Sequence, residues 1–199
     1  MKEFKTYNQQ LIILRSRGMI VPTDGKPKRF LEQENYYNVI NGYKDLFLKK
    51  DGSGKPLNPD IYIPGTHFNE LKALFLFDRD LRNLFLRYIL RFESLFKTTY
   101  AYEFSKQYRN PNSYLDLKNY KKDRPDEVVQ QIHVLTGTIK NKASKDGAIK
   151  HYIENHQSVP LWVLVNYLTL GNMSHLYSAL KKTERTTIAK VLSEHFNKQ

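Results

Sequence analysis

The chain has 199 residues, 40% of them hydrophobic and 26% charged, which suits one sizeable buried core and excludes a disordered or fibrous protein. Its longest apolar runs, such as 73–77 and 161–165, fall far short of the roughly 20 residues that a bilayer crossing needs, and the absence of cysteine excludes disulfides, thiol catalysis and thiolate metal sites. Lys and Arg number 32 against 20 Asp and Glu, a net charge of +12 that is positive in each third of the chain and forms no basic tail, so an anionic partner is expected, with nucleic acid the commonest. The 14 tyrosines and 11 phenylalanines would offer stacking surfaces for unpaired bases, unless most of them are core and the charge serves only solubility.

In chain order, Lys2, Lys5, Asn8, Gln9 and Gln10 leave no apolar signal-peptide core before Arg15, and a cytoplasmic protein is expected. Phe4, Tyr7, Leu11 and Leu14 recur at helical spacing up to a stop at Gly18. A second helix is predicted over 28–40, ended by Gly42, with a short helical resumption over 43–48. Residues 49–66 hold three Gly and three Pro and read as an exposed loop without a regular core. From 68 to 108 neither Gly nor Pro occurs, and one long helix, or two nearly collinear ones, is predicted.

A second loop, 109–125, is expected to order only around 114–117, followed by a helix over 126–139, a basic linker over 140–147 and a short helix over 148–155. Pro160 stands where proline is tolerated, at the first turn of a helix carrying Leu161, Trp162, Leu164 and Val165. Asn172 and Thr183 are read as caps of two last helices, to 180 and over 184–196. No sustained period-2 pattern and no internal repeat occurs, so the fold class is all-α, a helical bundle in a single domain over 1–199 with one long central helix.

On that long helix Leu71, Leu74, Phe75, Leu81, Leu84, Phe85, Tyr88, Phe92, Leu95 and Phe96 form a broad apolar arc, the predicted core face. The opposite arc carries Arg79, Arg82, Arg87, Arg91, Glu93 and Lys97 but also Leu86 and Leu90, so cover on more than one side is expected. Asp78, Arg79, Arg82, Arg91 and Glu93 are candidates for a polar network that positions a phosphate or a catalytic group. The alternative is a row of solvated pairs, each worth a few tenths of a kcal/mol. Lys55, in Gly52-Ser53-Gly54-Lys55-Pro56, has no glycine at phosphate-loop spacing and is a turn. The six histidines lack HExxH spacing and no GxSxG is present, so neither a metal site nor a serine nucleophile is expected.

Three stretches, in order across most of the chain, resemble the Abi-like family of bacterial abortive-infection (phage-resistance) proteins. The first is Arg17-Gly18-Met19-Ile20 with Leu31, Asn35-Tyr36-Tyr37, Gly42-Tyr43 and Phe47. The second is Leu74-Phe75-Leu76-Phe77-Asp78-Arg79-Asp80-Leu81-Arg82 followed by Arg91-Phe92-Glu93. The third is Pro160-Leu161-Trp162 with Leu168-Thr169-Leu170-Gly171-Asn172-Met173-Ser174. The resemblance implies a helical fold related to the HEPN superfamily, whose active members are metal-independent ribonucleases working as dimers. It therefore implies RNA as partner, a homodimer and no cofactor.

The catalytic signature of that superfamily is an Arg followed four to six residues later by His, in which Arg holds the scissile phosphate and His moves protons for the attacking 2′-hydroxyl. No Arg here has a His at that distance: Arg109-Asn110 leads to Pro111, and Arg185 stands ten residues before His195. In the family the element would fall on a further helix, so the chain is expected to be either a fragment or a catalytically silent member. Two functions remain open: a ribonuclease toxin whose cleaving element lies outside these residues, or a module that binds RNA or protein without chemistry. The basic stretches Lys121-Lys122-Arg124 and Lys140-Lys142-Lys145 are the candidate RNA contacts, or else simple solvated loops.

Overall fold

Gln9 N–H donates to the Thr6 hydroxyl while the Gln9 side chain accepts the Thr6 N–H at 2.9 Å, a capping box that starts helix α1, Tyr7–Ser16. The computed structural model describes residues 3–145 and 147–197, divided into two compact units, Met1–Leu86 and Arg87–Gln199. In the first unit Gly18 ends α1 as predicted. At φ +91° it lets Met19 N–H reach Leu14 O at 3.1 Å and its own N–H reach Arg15 O at 2.9 Å, satisfying carbonyls that the helix end would orphan.

Helix α2 spans Lys26–Gln33 and is shorter than the predicted 28–40, because Glu34 turns extended at φ −119°, ψ 134°. Two contacts explain the break. Asn35 Oδ1 takes the Tyr37 N–H at 2.8 Å, an alternative to the helical bond, and Glu34 is drawn to Arg79, 45 residues away, at 2.8 Å. The chain continues as a single wide turn over Tyr37–Asn41 and a 3-10 turn over Lys44–Leu46.

The loop 49–66 is more ordered than its composition predicts. Lys49 N–H bonds to Ile61 O and Ile63 N–H to Phe47 O, both at 2.8 Å, and this short pairing drives Tyr62 into the core at 1% exposure. Phe30 closes that core edge-on against Phe68 and Phe75, at 6.3 and 5.9 Å between ring centroids.

Helix α3 runs over Phe68–Gln107 as one continuous element, and the boundary between the units falls within it. Its later turns join α4 (Pro125–Ala143), α5 (Ala148–His156), α6 (Leu161–Leu164), α7 (Leu170–Ala179) and α8 (Lys182–Asn197) in the second unit. Leu135, Leu164, Leu180 and Ile188 are fully buried there. Helix α4 extends past the predicted end at 139 and takes Lys140 and Lys142 out of the expected linker. The cap of α7 is Thr169, with Asn172 as its reciprocal partner three residues on, where Asn172 had been the predicted cap.

The 109–125 segment contains two 3-10 turns, Ser113–Leu115 and Leu117–Asn119. Two buried tyrosines hold it: Tyr120 donates to Tyr114 O and Tyr114 to Val159 O, each at 2.7 Å. The fold is all-α. Among the described residues only isolated bridges such as Leu48 with Tyr62 occur in place of strands, and no helix is long and apolar enough to cross a membrane.

The predicted core arc of α3 holds only at its two ends. Leu71, Phe75 and Phe96 are buried, but every residue from 82 to 92 is exposed, including the arc members Leu84, Phe85, Tyr88 and Phe92. The expected cover on a second side is also missing: Leu86 and Leu90 are 53% and 56% exposed. The periodicity is real, but among the described residues only Phe196 of α8 reaches these turns, stacked on Phe92 at 6.3 Å between ring centroids.

Candidate functional site

In the first unit the first and second motif stretches meet. The Tyr43 hydroxyl donates to the Asp78 carboxylate, and that carboxylate also holds Arg82 one turn later at 3.0 Å. The Tyr43 ring stands edge-on to Phe75 at 5.8 Å, so α3 supplies both the apolar seat and the acceptor. Hydrogen bonding to Asp78, more than burial, pushes the Tyr43 hydroxyl above its ordinary pKa.

Tyr36 is half-buried, and burial raises its hydroxyl, whereas Tyr37 is 69% exposed. Gly42 has an ordinary helical φ of −70° and open space where a Cβ would stand, so its conformation makes no demand for glycine. Sequence reasoning missed a neighbouring cluster in which Asp60 accepts from Lys44 at 2.6 Å and from Arg17 at 3.2 Å.

The candidate charged residues of α3 form separate pairs. Arg82 bonds Asp78, Arg79 bonds Glu34 at 2.8 Å, and Glu93 bonds Lys97 at 2.6 Å. Arg91 is exposed and has no ion-pair partner among the described residues. The side chain of Arg82 is 63% exposed and that of Asp78 38%, which sets the expected energies. Asp78→Ala leaves the Tyr43 hydroxyl and Arg82 without their acceptor and is expected to cost about 1–2 kcal/mol, while Arg82→Ala costs under about 0.5 kcal/mol. Urea midpoints of the two variants check this, and equal small losses would show that the tyrosine bond contributes nothing.

In the second unit Lys121 and Arg124 both hold Glu127, at 2.7 and 2.6 Å, and these hydrogen bonds keep the Glu127 carboxyl below its ordinary pKa. Two of the first three candidate cations are thus already matched to an acid, and Lys122 is exposed and unpaired. Lys140 and Lys142 lie in the last turn of α4, where the helix dipole favours cations, and Lys142 stands over the Tyr167 ring at 5.5 Å. Lys145 is exposed and carries no ion pair among the described residues.

Gly171 is the second residue of α7, inside the capping box, and is exposed. Trp162, the chain's one tryptophan, is 57% exposed on α6 while its neighbours Leu161, Val163 and Leu164 are buried. Spacing alone gave no hint of a polar triad at Tyr108, which donates to Glu184 at 2.7 Å and accepts from Lys181 at 3.0 Å, because Tyr108 stands more than 70 residues from both partners.

The three motif stretches therefore build two different places: the Tyr43–Asp78 clamp of the first unit, and the exposed Trp162 with the α7 cap in the second. The family model described as Abi-like protein matches residues 29–198 and so spans both units. The chain belongs to the Abi-like family. No curated protein and no solved structure gives a significant match. Membership associates this Abi-like chain with abortive infection, the phage-resistance class, and the region it covers contains Tyr36, Tyr43, Asp78, Trp162 and Gly171.

Proposed function

We propose that this Abi-like protein is an HEPN-related phage-defence protein that works by holding RNA. The observation that carries the reading is its uncompensated positive charge: Arg87, Arg91, Arg109, Lys122, Lys140 and Lys145 are exposed and unpaired among the described residues, on a chain of net charge +12. Such side chains attract phosphates and release condensed counterions on contact. Cleavage is not assigned to these 199 residues, since no Arg-to-His spacing of the ribonuclease type occurs in them.

Titration of labelled single-stranded RNA tests the reading. Affinity is expected to fall by about 0.7 log units per contacted phosphate for each tenfold rise in salt. A flat salt slope, or no retention of RNA at about 50 mM salt, where this mechanism is strong, overturns it.

A homodimer is the second part of the proposal, favoured by the exposed turns of α3. An exposed apolar patch of this size marks an interaction surface, and residues 82–92 contain Leu84, Phe85, Leu86, Tyr88, Ile89, Leu90 and Phe92, all exposed, beside Arg82, Arg87 and Arg91. At about 200 Å² for each large side chain, the exposed fractions of Phe77, Leu84, Phe85, Tyr88, Ile89 and Phe92, which share one side of the helix, leave roughly 600 Å² open, most of what one partner contributes to a standard interface. A second copy supplies an equally large apolar face by symmetry.

A further inference from the structure

The clearest unused feature of the second unit is a groove around Trp162. One cavity of about 410 Å³ lies between α3 and α6, lined by Lys97, Tyr102, Lys106, Trp162 and Asn166 among others. An adjoining cavity of about 320 Å³ lies between the 109–114 segment and residues 158–162, with Tyr108 and Arg109 on its wall. Ser105 and Trp162 line both, so the two cavities adjoin at the indole and make up the channel on either side of it.

Three cations and no carboxylate line this channel. Lys97 is tied to Glu93, and Lys106 reaches Glu103 only at 3.8 Å and lies 5.9 Å from the Tyr102 ring, its side chain 62% exposed. Arg109 has no partner among the described residues and is fully available. The aromatic faces are open too, with Tyr102 at 65% and Trp162 at 57% exposure. The Asn166 amide donates to Trp162 O at 2.9 Å and to Val163 O at 3.3 Å, which fixes the side chain and leaves its carbonyl oxygen as a free acceptor.

The channel is also pre-formed. Tyr114 donates its hydroxyl proton to Val159 O at 2.7 Å, and Asn112, held at φ +56°, accepts from Val159 N–H at 3.4 Å, so both walls of the second cavity are bonded to each other. Burial pushes the Tyr114 hydroxyl up to about 12, which keeps it a donor at physiological pH. A ligand meets a built surface and orders little of it on binding.

We propose that this channel is the single-stranded RNA site of the protein, with a base stacked on Trp162 beside Tyr102 and the adjoining phosphates held by Arg109 and Lys106. The proposal rests on the RNA reading given above and adds the place and mode of binding. Open aromatic faces in a lining that contains cations and no carboxylate suit a ligand that is planar and apolar in one part and anionic in the next, which is the chemistry of a nucleotide strand. Asn166 Oδ1 and the Ser105 hydroxyl supply polar groups for a base edge and a 2′-hydroxyl.

Because Trp162 is the sole tryptophan, its fluorescence reports on the channel directly. Titrating the whole protein with a fluorescein-labelled oligouridylate, with anisotropy and indole emission read together, is expected to quench Trp162 in step with binding. Trp162→Ala is expected to weaken binding at least about fivefold, the lower limit for one stacked base, and Trp162→Phe to restore most of it. Arg109→Glu is expected to weaken binding and lower the salt slope, whereas Lys190→Glu, at an exposed position of α8 outside the lining of both cavities, leaves the quenching intact. Binding by wild type without quenching, with Trp162→Ala and Arg109→Glu as tight as wild type, overturns the channel while the RNA reading stands. Failure of the wild type to bind at about 50 mM salt overturns both. Trp162 emission in the wild type needs no variant, so the channel stays testable even if a substitution misfolds.

Discussion

Phe104→Ala is expected to lower the unfolding free energy by about 3–5 kcal/mol, a large share of the total of about 5–15 kcal/mol that a domain of this kind has. Phe104 is 1% exposed and touches three rings, Tyr108 at 4.9 Å, Tyr120 at 5.8 Å and Tyr100 at 6.0 Å between centroids. Tyr120 is fixed by its bond to Tyr114 O, and Tyr108 by its bonds with Glu184 and Lys181, so two of the three rings are pinned and cannot collapse into the cavity. A site that relaxes poorly lies at the high end of the large-to-small range. Phe104→Leu keeps most of the volume and should cost less than half as much. Tyr102→Ala, two residues away but 65% exposed, should cost under about 0.5 kcal/mol. Urea unfolding followed through Trp162, which lies in the same unit, measures all three, and similar losses for Phe104→Ala and Tyr102→Ala would refute the pinned core.

What could be read from the sequence is what depends on near neighbours. Gly18 ends α1 through bonds to Leu14 and Arg15, and the long α3 follows from 40 residues without Gly or Pro. Helix ends such as that of α4 and the cap of α7 differ by a few residues, and the larger errors lie where a distant residue contributes. The break after Gln33 needs Arg79, and the burial of Tyr62 needs Phe47 and Lys49, neither of which leaves a periodic trace.

The site divides in the same way. Asp78 with Arg82, and Glu93 with Lys97, are pairs four apart and were visible as such. Tyr43 on Asp78 was not, because the partners stand 35 residues apart and spacing carries no information about that contact. Trp162 is legible in the sequence as a helix residue after Pro160 and as part of a motif, not as an exposed ring. The physical signal was its position among Leu161, Val163 and Leu164, which leaves one large aromatic on the open side of a helix whose other residues are buried. That distinction requires the orientation of a four-residue helix, too short to show a period.

The exposed turns of α3 carry the second large effect. Phe85→Lys combined with Tyr88→Lys is expected to convert a dimer into a monomer, because both side chains are more than half exposed and make no contribution to either core, yet they lie in the apolar stretch assigned to the second copy. A buried ammonium with no partner is costly, here beside arginines of the same sign, and a two-fold interface receives each substitution twice. Light scattering on a sizing column is expected to give twice 23.5 kDa for the wild type and 23.5 kDa for the variant, with the far-UV spectrum unchanged. The positive charge bears on this interface as well: Arg82, Arg87 and Arg91 fall within the stretch and no acidic residue does, so two copies repel unless the arginines lie at the rim in water. Dimerisation should therefore strengthen as salt rises, opposite in sign to RNA binding, and the two events can be separated by one salt series. A wild-type mass of 23.5 kDa at every concentration and salt tested would remove the second copy from the proposal and leave these turns to a different partner.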